Sequence, residues 1–171
     1  MIQPAGPRCK VHGVEVDDED RQLKDTIVVD LDGTLANIDH RLHYVKREKP
    51  DWDAFYAACD KDTPNEWCLH LLQAFHESFY QYEVLIVSAR RKSEQIKTMV
   101  WMRSHNVRFD QIFLLREDGN HEEDTVLKKR WLDRYGKDRI LFVVDDRQKV
   151  VDMLRAEGLV CLQCYAWKEH K

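Results

Sequence analysis

The chain has 171 residues, enough for one well-buried domain and hardly two. A net charge of −4 argues against a surface that coats nucleic acid generally, although it leaves room for a local basic groove. No apolar run approaches the ~20 residues of a membrane span, and no signal-like segment opens the chain. Five cysteines at irregular spacing fit a reducing cytoplasm better than a disulfide framework.

Residues 1 to 25 carry Pro4, Gly6, Pro7 and the acidic run Asp17-Asp18-Glu19-Asp20, and read as an N-terminal arm with one short strand over Lys10 to Val16. The β-branched run Thr26-Ile27-Val28-Val29 reads as a buried parallel strand, broken at Asp32-Gly33. Residues 36 to 82 exceed a usual βα connection and are expected to form a small helical cap beside the strand end. Pro50 and Pro64 mark helix entries there, Asp51 caps a helix through Cys59, and Asn65 caps one to about Phe79. Trp52, Phe55, Tyr56, Trp67, Leu71, Leu72 and Phe75 fall near helical spacing and read as the core of that cap.

Strand and helix then alternate. Strands are expected over Val84 to Val87, Ile112 to Leu115, Ile140 to Val144 and Leu159 to Leu162. Helices are expected over 93 to 105, with Ser93 as cap and Ile96, Met99 and Val100 inward; over Asp124 to Tyr135, stopped at Gly136; and over Lys149 to Glu157. The alternation predicts an α/β fold with a doubly wound, Rossmann-like, five-stranded parallel sheet and a small helical cap insertion. Residues 165 to 171 are left as a tail.

Three strands end in polar residues: Asp30 and Asp32, Ser88, and Asp145 and Asp146. In such a sheet these side chains share the carboxyl edge, where ligands bind. The Asp-Gly turn lets the Asp30 side chain and a neighbouring carbonyl converge on one hard cation such as Mg²⁺. Lys128, near the start of its helix, can add a positive charge. Paired acids, a hydroxyl and an ammonium suit a metal-assisted reaction on a phosphate, with Asp30 as nucleophile.

DLDGT, the serine of LIVSAR, Lys128 and VVDDR match, in order, the four motifs of the haloacid dehalogenase (HAD) superfamily of phosphohydrolases, and the chain resembles that superfamily over about residues 26 to 164. The resemblance implies an aspartyl-phosphate on Asp30, with Asp32 as the acid and then the base. It also implies a phosphate held by Ser88 and by the loop through Gly33 and Thr34, and Lys128 screening charge. Mg²⁺ would be held by Asp30, the carbonyl of Asp32, Asp145 and Asp146. An acid role for Asp32 requires a pKa raised above the ordinary ~3.9.

The stretch DDRQKVVDMLRAEGLVC resembles, more narrowly, the 3′-phosphatase domain of phage-type polynucleotide kinase–phosphatases. That resemblance adds Arg41 and Arg90 as phosphate-gripping guanidiniums. The kinase signature G-x-x-x-x-G-K-[ST] is not in the sequence, so the expectation is a phosphatase alone, or one subunit of a split system with a separate kinase or ligase partner. The substrate is then a phosphorylated polynucleotide end, approached past Arg41, Arg47 and Arg90-Arg91-Lys92. The alternatives are a free nucleotide or other small phosphomonoester, with Tyr44, Trp52 or Phe55 stacking on a base, and a catalytically inactive binding module. Cys9 with His12 and Cys161 with Cys164 have the spacing of two half zinc sites, but the second pair falls on opposite faces of a strand.

Overall fold

The computed structural model describes residues 24–165. The expected strand at 10 to 16, and Cys9 and His12, lie outside the described residues. Five parallel strands stand in the order β5-β4-β1-β6-β7: β1 (Thr26–Val29), β4 (Glu83–Arg91), β5 (Gln111–Arg116), β6 (Ile140–Asp145) and β7 (Cys161–Gln163). The alternation of β1 explains its place at the centre. Ile27 and Val29 enter one core and Val28 the other, as strand periodicity requires. Helices α3 (Glu66–His76) and α4 (Gln95–Ser104) cover the first face; α5 (Asp124–Tyr135) and α6 (Gln148–Ala156) cover the second. Each fully buried Val, Ile or Leu contributes about 1.5–3 kcal/mol.

The segment expected as one cap divides in two. Its first part holds β2 (Ala36–Asn37) paired antiparallel with β3 (Thr63–Pro64), and the short helices α1 (Leu42–Val45) and α2 (Trp52–Ala57). This part has its own small core of Ile38, Phe55 and Tyr56, backed by Leu42, Tyr44 and Val45. Its second part, α3, buries Cys68 and Leu72 with Ile27, Val29 and Ile86, and so belongs to the sheet as the connection between β1 and β4. Cys68, Leu72 and Phe75 give α3 an apolar stripe that the sheet covers, which residues 36 to 65 cannot offer it. Asn65 does not cap α3 with its side chain; its amide donates to the Thr34 carbonyl at 2.7 Å.

Helix α4 is turned the other way from expectation. Ile96, Met99 and Val100 are exposed, Ile96 to 80%, and Thr98, Trp101 and Met102 are buried. Both triplets have helical spacing. The larger Trp101 decides between them, because its indole N–H donates to the Asp62 carbonyl at 2.6 Å. Cys161 lies in the core under α5 and α6 while Cys164 packs against the opposite core, so the two do not share a site.

Candidate active site

The carboxyl ends of β1, β4 and β6 meet where the strand order reverses about β1, the position at which open α/β sheets bind ligands. The ladder runs one residue past β1, with the Asp30 amide donating to the Val144 carbonyl at 2.9 Å. The chain then folds tightly back, with Ala36 N–H bonded to Leu31 O at 2.8 Å and Gly33 N–H to Ala36 O at 2.9 Å. Gly33 has φ +96°, and a Cβ there would overlap the Asp146 carboxylate. Only glycine lets the loop approach that acid so closely.

Asp30, Ser88, Lys128, Asp145 and Asp146 are all buried and all line one cavity of about 360 Å³. The Lys128 ammonium donates to Asp30 Oδ1 at 2.5 Å and to Asp145 Oδ2 at 2.6 Å. Burial pushes the Asp30 carboxyl well above its ordinary pKa; Lys128 opposes this without cancelling it, and Asp145 and Asp146 add to the rise. Burial alone would discharge Lys128, yet Asp145 and Asp30 hold its proton more firmly than usual. Asp30, Asp145 and Asp146 make the cluster rich in hard oxygen donors. Among the described residues no three His, Cys, Asp or Glu side chains form a ready ligand cage. Mg²⁺ does not need one, because it is held by one or two carboxylates, waters and substrate phosphate oxygens. The donor set therefore fits Mg²⁺.

Asp32, two residues on, sits in a different environment. Arg41 donates to Asp32 Oδ1 at 2.5 Å, and Arg90 forks onto both Asp32 oxygens. Both guanidiniums also reach Asp62, Arg41 at 2.6 Å through Nε and Nη2 and Arg90 at 3.2 Å. Burial would raise the Asp32 pKa, but Arg90 and Arg41 outweigh it and hold the carboxyl below the usual carboxylate range. The raised pKa expected for an acid at this position is therefore absent. Arg41 is 0% and Arg90 1% exposed, and neither lines the cavity. They grip Asp32 and Asp62 where a grip on phosphate was expected.

The model of the family described as the polynucleotide kinase PNKP phosphatase domain matches residues 24–166. The chain belongs to that family. Among solved structures, the PNKP-type phosphatase domain is similar to a chain of the Pnkp1/Rnl/Hen1 RNA repair complex, at 26% identity and a TM-score of 0.71, covering 91% of this chain and 47% of the other. A second structure of a Pnkp1/Rnl/Hen1 complex gives 25% identity and a TM-score of 0.69, covering 87% and 48%. The chain thus spans about half the length of those relatives. A HAD family enzyme of Bacteroides thetaiotaomicron, in complex with magnesium and inorganic phosphate, shares the fold at 13% identity and a TM-score of 0.52, covering 86% of this chain and 97% of that one. No match emerges among curated proteins.

Within the PNKP-type domain, Gly33 and Thr34 also fall short of the cavity wall. Thr34 is buried and donates to Asp146 Oδ1 at 3.3 Å, so this loop positions an acid where contact with substrate was expected. Residues that the sequence reading missed surround the site. Asp62 is the counterion of Arg41 and Arg90; its signal was the Asp60-Lys61-Asp62-Thr63-Pro64 stretch entering β3. Buried Arg116 ties down the loop before α5 by donating to the carbonyls of Asn120 at 3.1 Å and Glu122 at 2.8 Å, and to Asp124 Oδ1 at 2.6 Å. Arg147, which also pairs with Asp124, lines the cavity together with Arg91 and Lys149.

Proposed function

We propose that this chain is a Mg²⁺-dependent phosphatase that removes 3′-phosphates from polynucleotide ends through an aspartyl-phosphate on Asp30. The observation that carries the reading is the convergence of Asp30, Ser88, Lys128, Asp145 and Asp146 on one cavity, with Arg91, Arg147 and Lys149 in its wall. Every side chain the chemistry needs is present, which favours an enzyme over an inactive module. Asp30 attacks phosphorus, and the bond to the nucleoside oxygen breaks. Ser88 holds a phosphate oxygen, and Lys128 favours the ionised form of Asp30 against its burial. Asp32 protonates the leaving oxygen, then takes a proton from the water that releases phosphate. A phosphate dianion beside Asp32 raises its proton affinity against the pull of Arg41 and Arg90. Mg²⁺, held by Asp30, the Asp32 carbonyl, Asp145 and Asp146, would supply charge neutralisation at the phosphate oxygens.

The 3′-end assignment is supported by the family and by the similarity to a chain of the Pnkp1/Rnl/Hen1 RNA repair complex. Residues 26 to 164 form the catalytic unit in this reading, with 36 to 65 beside the site. Among the described residues no helix is long and apolar enough to cross a membrane, in keeping with a proposed cytoplasmic location. The test is a competition between 3′-phosphorylated DNA and RNA oligonucleotides, nucleoside 3′- and 5′-monophosphates, and an alkyl phosphate, with Mg²⁺ and with chelator. Preferred hydrolysis of the 3′-phosphorylated ends, stopped by chelation, is expected. Equal rates on every phosphomonoester would overturn the substrate assignment, and undiminished rates in chelator would overturn the metal.

A further inference from the structure

We infer that Trp52 is the stacking platform for the nucleobase attached to the reacting phosphate, so that the cavity recognises the unpaired terminal nucleoside as well as its phosphate. The inference rests on the phosphatase reading above and adds a base subsite to it. The cavity, about 360 Å³, is of small-molecule size and larger than one anion needs. Charged groups line most of it, but Ile38, Trp52, Phe55 and Tyr56 form an apolar stretch.

The three rings of that stretch are not equivalent. Phe55 and Tyr56 are buried in the core of the segment beside the site, and their faces are covered: Arg41 lies over Phe55 at 4.1 Å and Arg91 over Tyr56 at 4.7 Å. Trp52 is 44% exposed and outside that core, and among the described residues no guanidinium lies over it. A single exposed tryptophan needs no functional account by itself. This one stands in the wall of the reaction cavity and is fixed there. The Asp51 side chain caps its helix by accepting from the Ala54 amide at 2.9 Å, and Asp53 pairs with Arg91 at 2.5 Å, which ties the helix to the strand carrying Ser88. A half-exposed indole beside a phosphate-binding edge suits a π-face, and every nucleobase presents one, so the subsite is tolerant of sequence.

The test compares a 3′-phosphorylated oligonucleotide with the same oligonucleotide carrying an abasic 3′-phosphorylated terminus. For the native protein the ratio of kcat/KM on the two should favour the base-bearing end. Trp52→Ala should lower that ratio about tenfold, the loss of one base–aromatic stack, mainly through KM. Trp52→Phe should restore most of it, which separates stacking from misfolding. In an Asp30→Asn background, the base-bearing oligonucleotide should quench tryptophan fluorescence more than the abasic one, and Trp52→Phe should remove that difference. An unchanged ratio in Trp52→Ala, with native hydrolysis of both oligonucleotides intact, overturns the base subsite alone. Hydrolysis of an alkyl phosphate but of neither oligonucleotide overturns the phosphatase assignment to polynucleotides and the subsite with it.

Discussion

Asp30 and Asp32 stand two residues apart and meet opposite electrostatics. Around Asp30, two carboxylates share one ammonium, and burial lifts the Asp30 pKa with Asp145 and Asp146 adding to the rise. Around Asp32, two carboxylates meet two guanidiniums in a closed network with Asp62, and the Asp32 pKa falls. The first region gathers three carboxyl groups whose oxygens suit a hard cation. In the second, the buried Arg41, Arg90 and Asp62 clamp Asp32, which is partly exposed in the cavity wall. The contrast separates an acid-rich cluster from an arginine-clamped aspartate, although the sequence offers the same residue types in both.

Substitutions in the two regions should therefore fail differently. Asp30→Asn should lower turnover by about a thousandfold or more while removing an unfavourable buried charge, so its unfolding midpoint should not fall. A drop in both would place Asp30 with the structural residues. Asp62→Ala should leave two buried guanidiniums sharing one carboxylate and cost about 3–5 kcal/mol in denaturant unfolding. A change near zero would mean that the network does not hold the segment beside the site. Arg90→Lys keeps the charge but loses the fork on Asp32. It should cost about 1–3 kcal/mol of stability and a similar amount in kcat/KM, whereas an exposed phosphate-gripping arginine would spare stability.

The smallest effect is in pH, where the two aspartates differ in sign. The Asp32 contribution is present above its unfolded pKa of ~3.9 and lost as pH falls toward its depressed folded value. The Asp30 contribution is complete below ~3.9 and lost as pH rises through its elevated folded value. Metal-free protein should therefore gain stability on acidification from neutral pH, then lose it in strong acid. Asp30→Asn should flatten the first slope and Asp32→Asn the second. A native profile without a rise below neutrality would contradict the raised Asp30 pKa.

The sheet and its polar strand ends were legible because each signal is local: a β-branched run, a break, an acid. Residues such as Ile27, Val28 and Val29 have one way to satisfy both faces of a sheet. What was not legible depends on contacts across the chain. Arg41 and Arg90 look like surface cations until Asp62, 21 and 28 residues away from them, is folded between them. The facing of α4 could not be settled by periodicity, because the Ile96-Met99-Val100 triplet competes with Thr98-Trp101-Met102 and a single indole hydrogen bond decides. Thr34 reads as a loop hydroxyl toward substrate, and only the fold brings Asp146, 112 residues on, to accept from it.

The most direct measurement is an acid-quenched reaction on an oligonucleotide with a radiolabelled 3′-phosphate, sampled before one turnover is complete. The account predicts label on the protein in the presence of Mg²⁺, released by hydroxylamine, and absent both in chelator and in Asp30→Asn. Phosphate release without labelled protein, at a rate that Asp30→Asn shares, would contradict it.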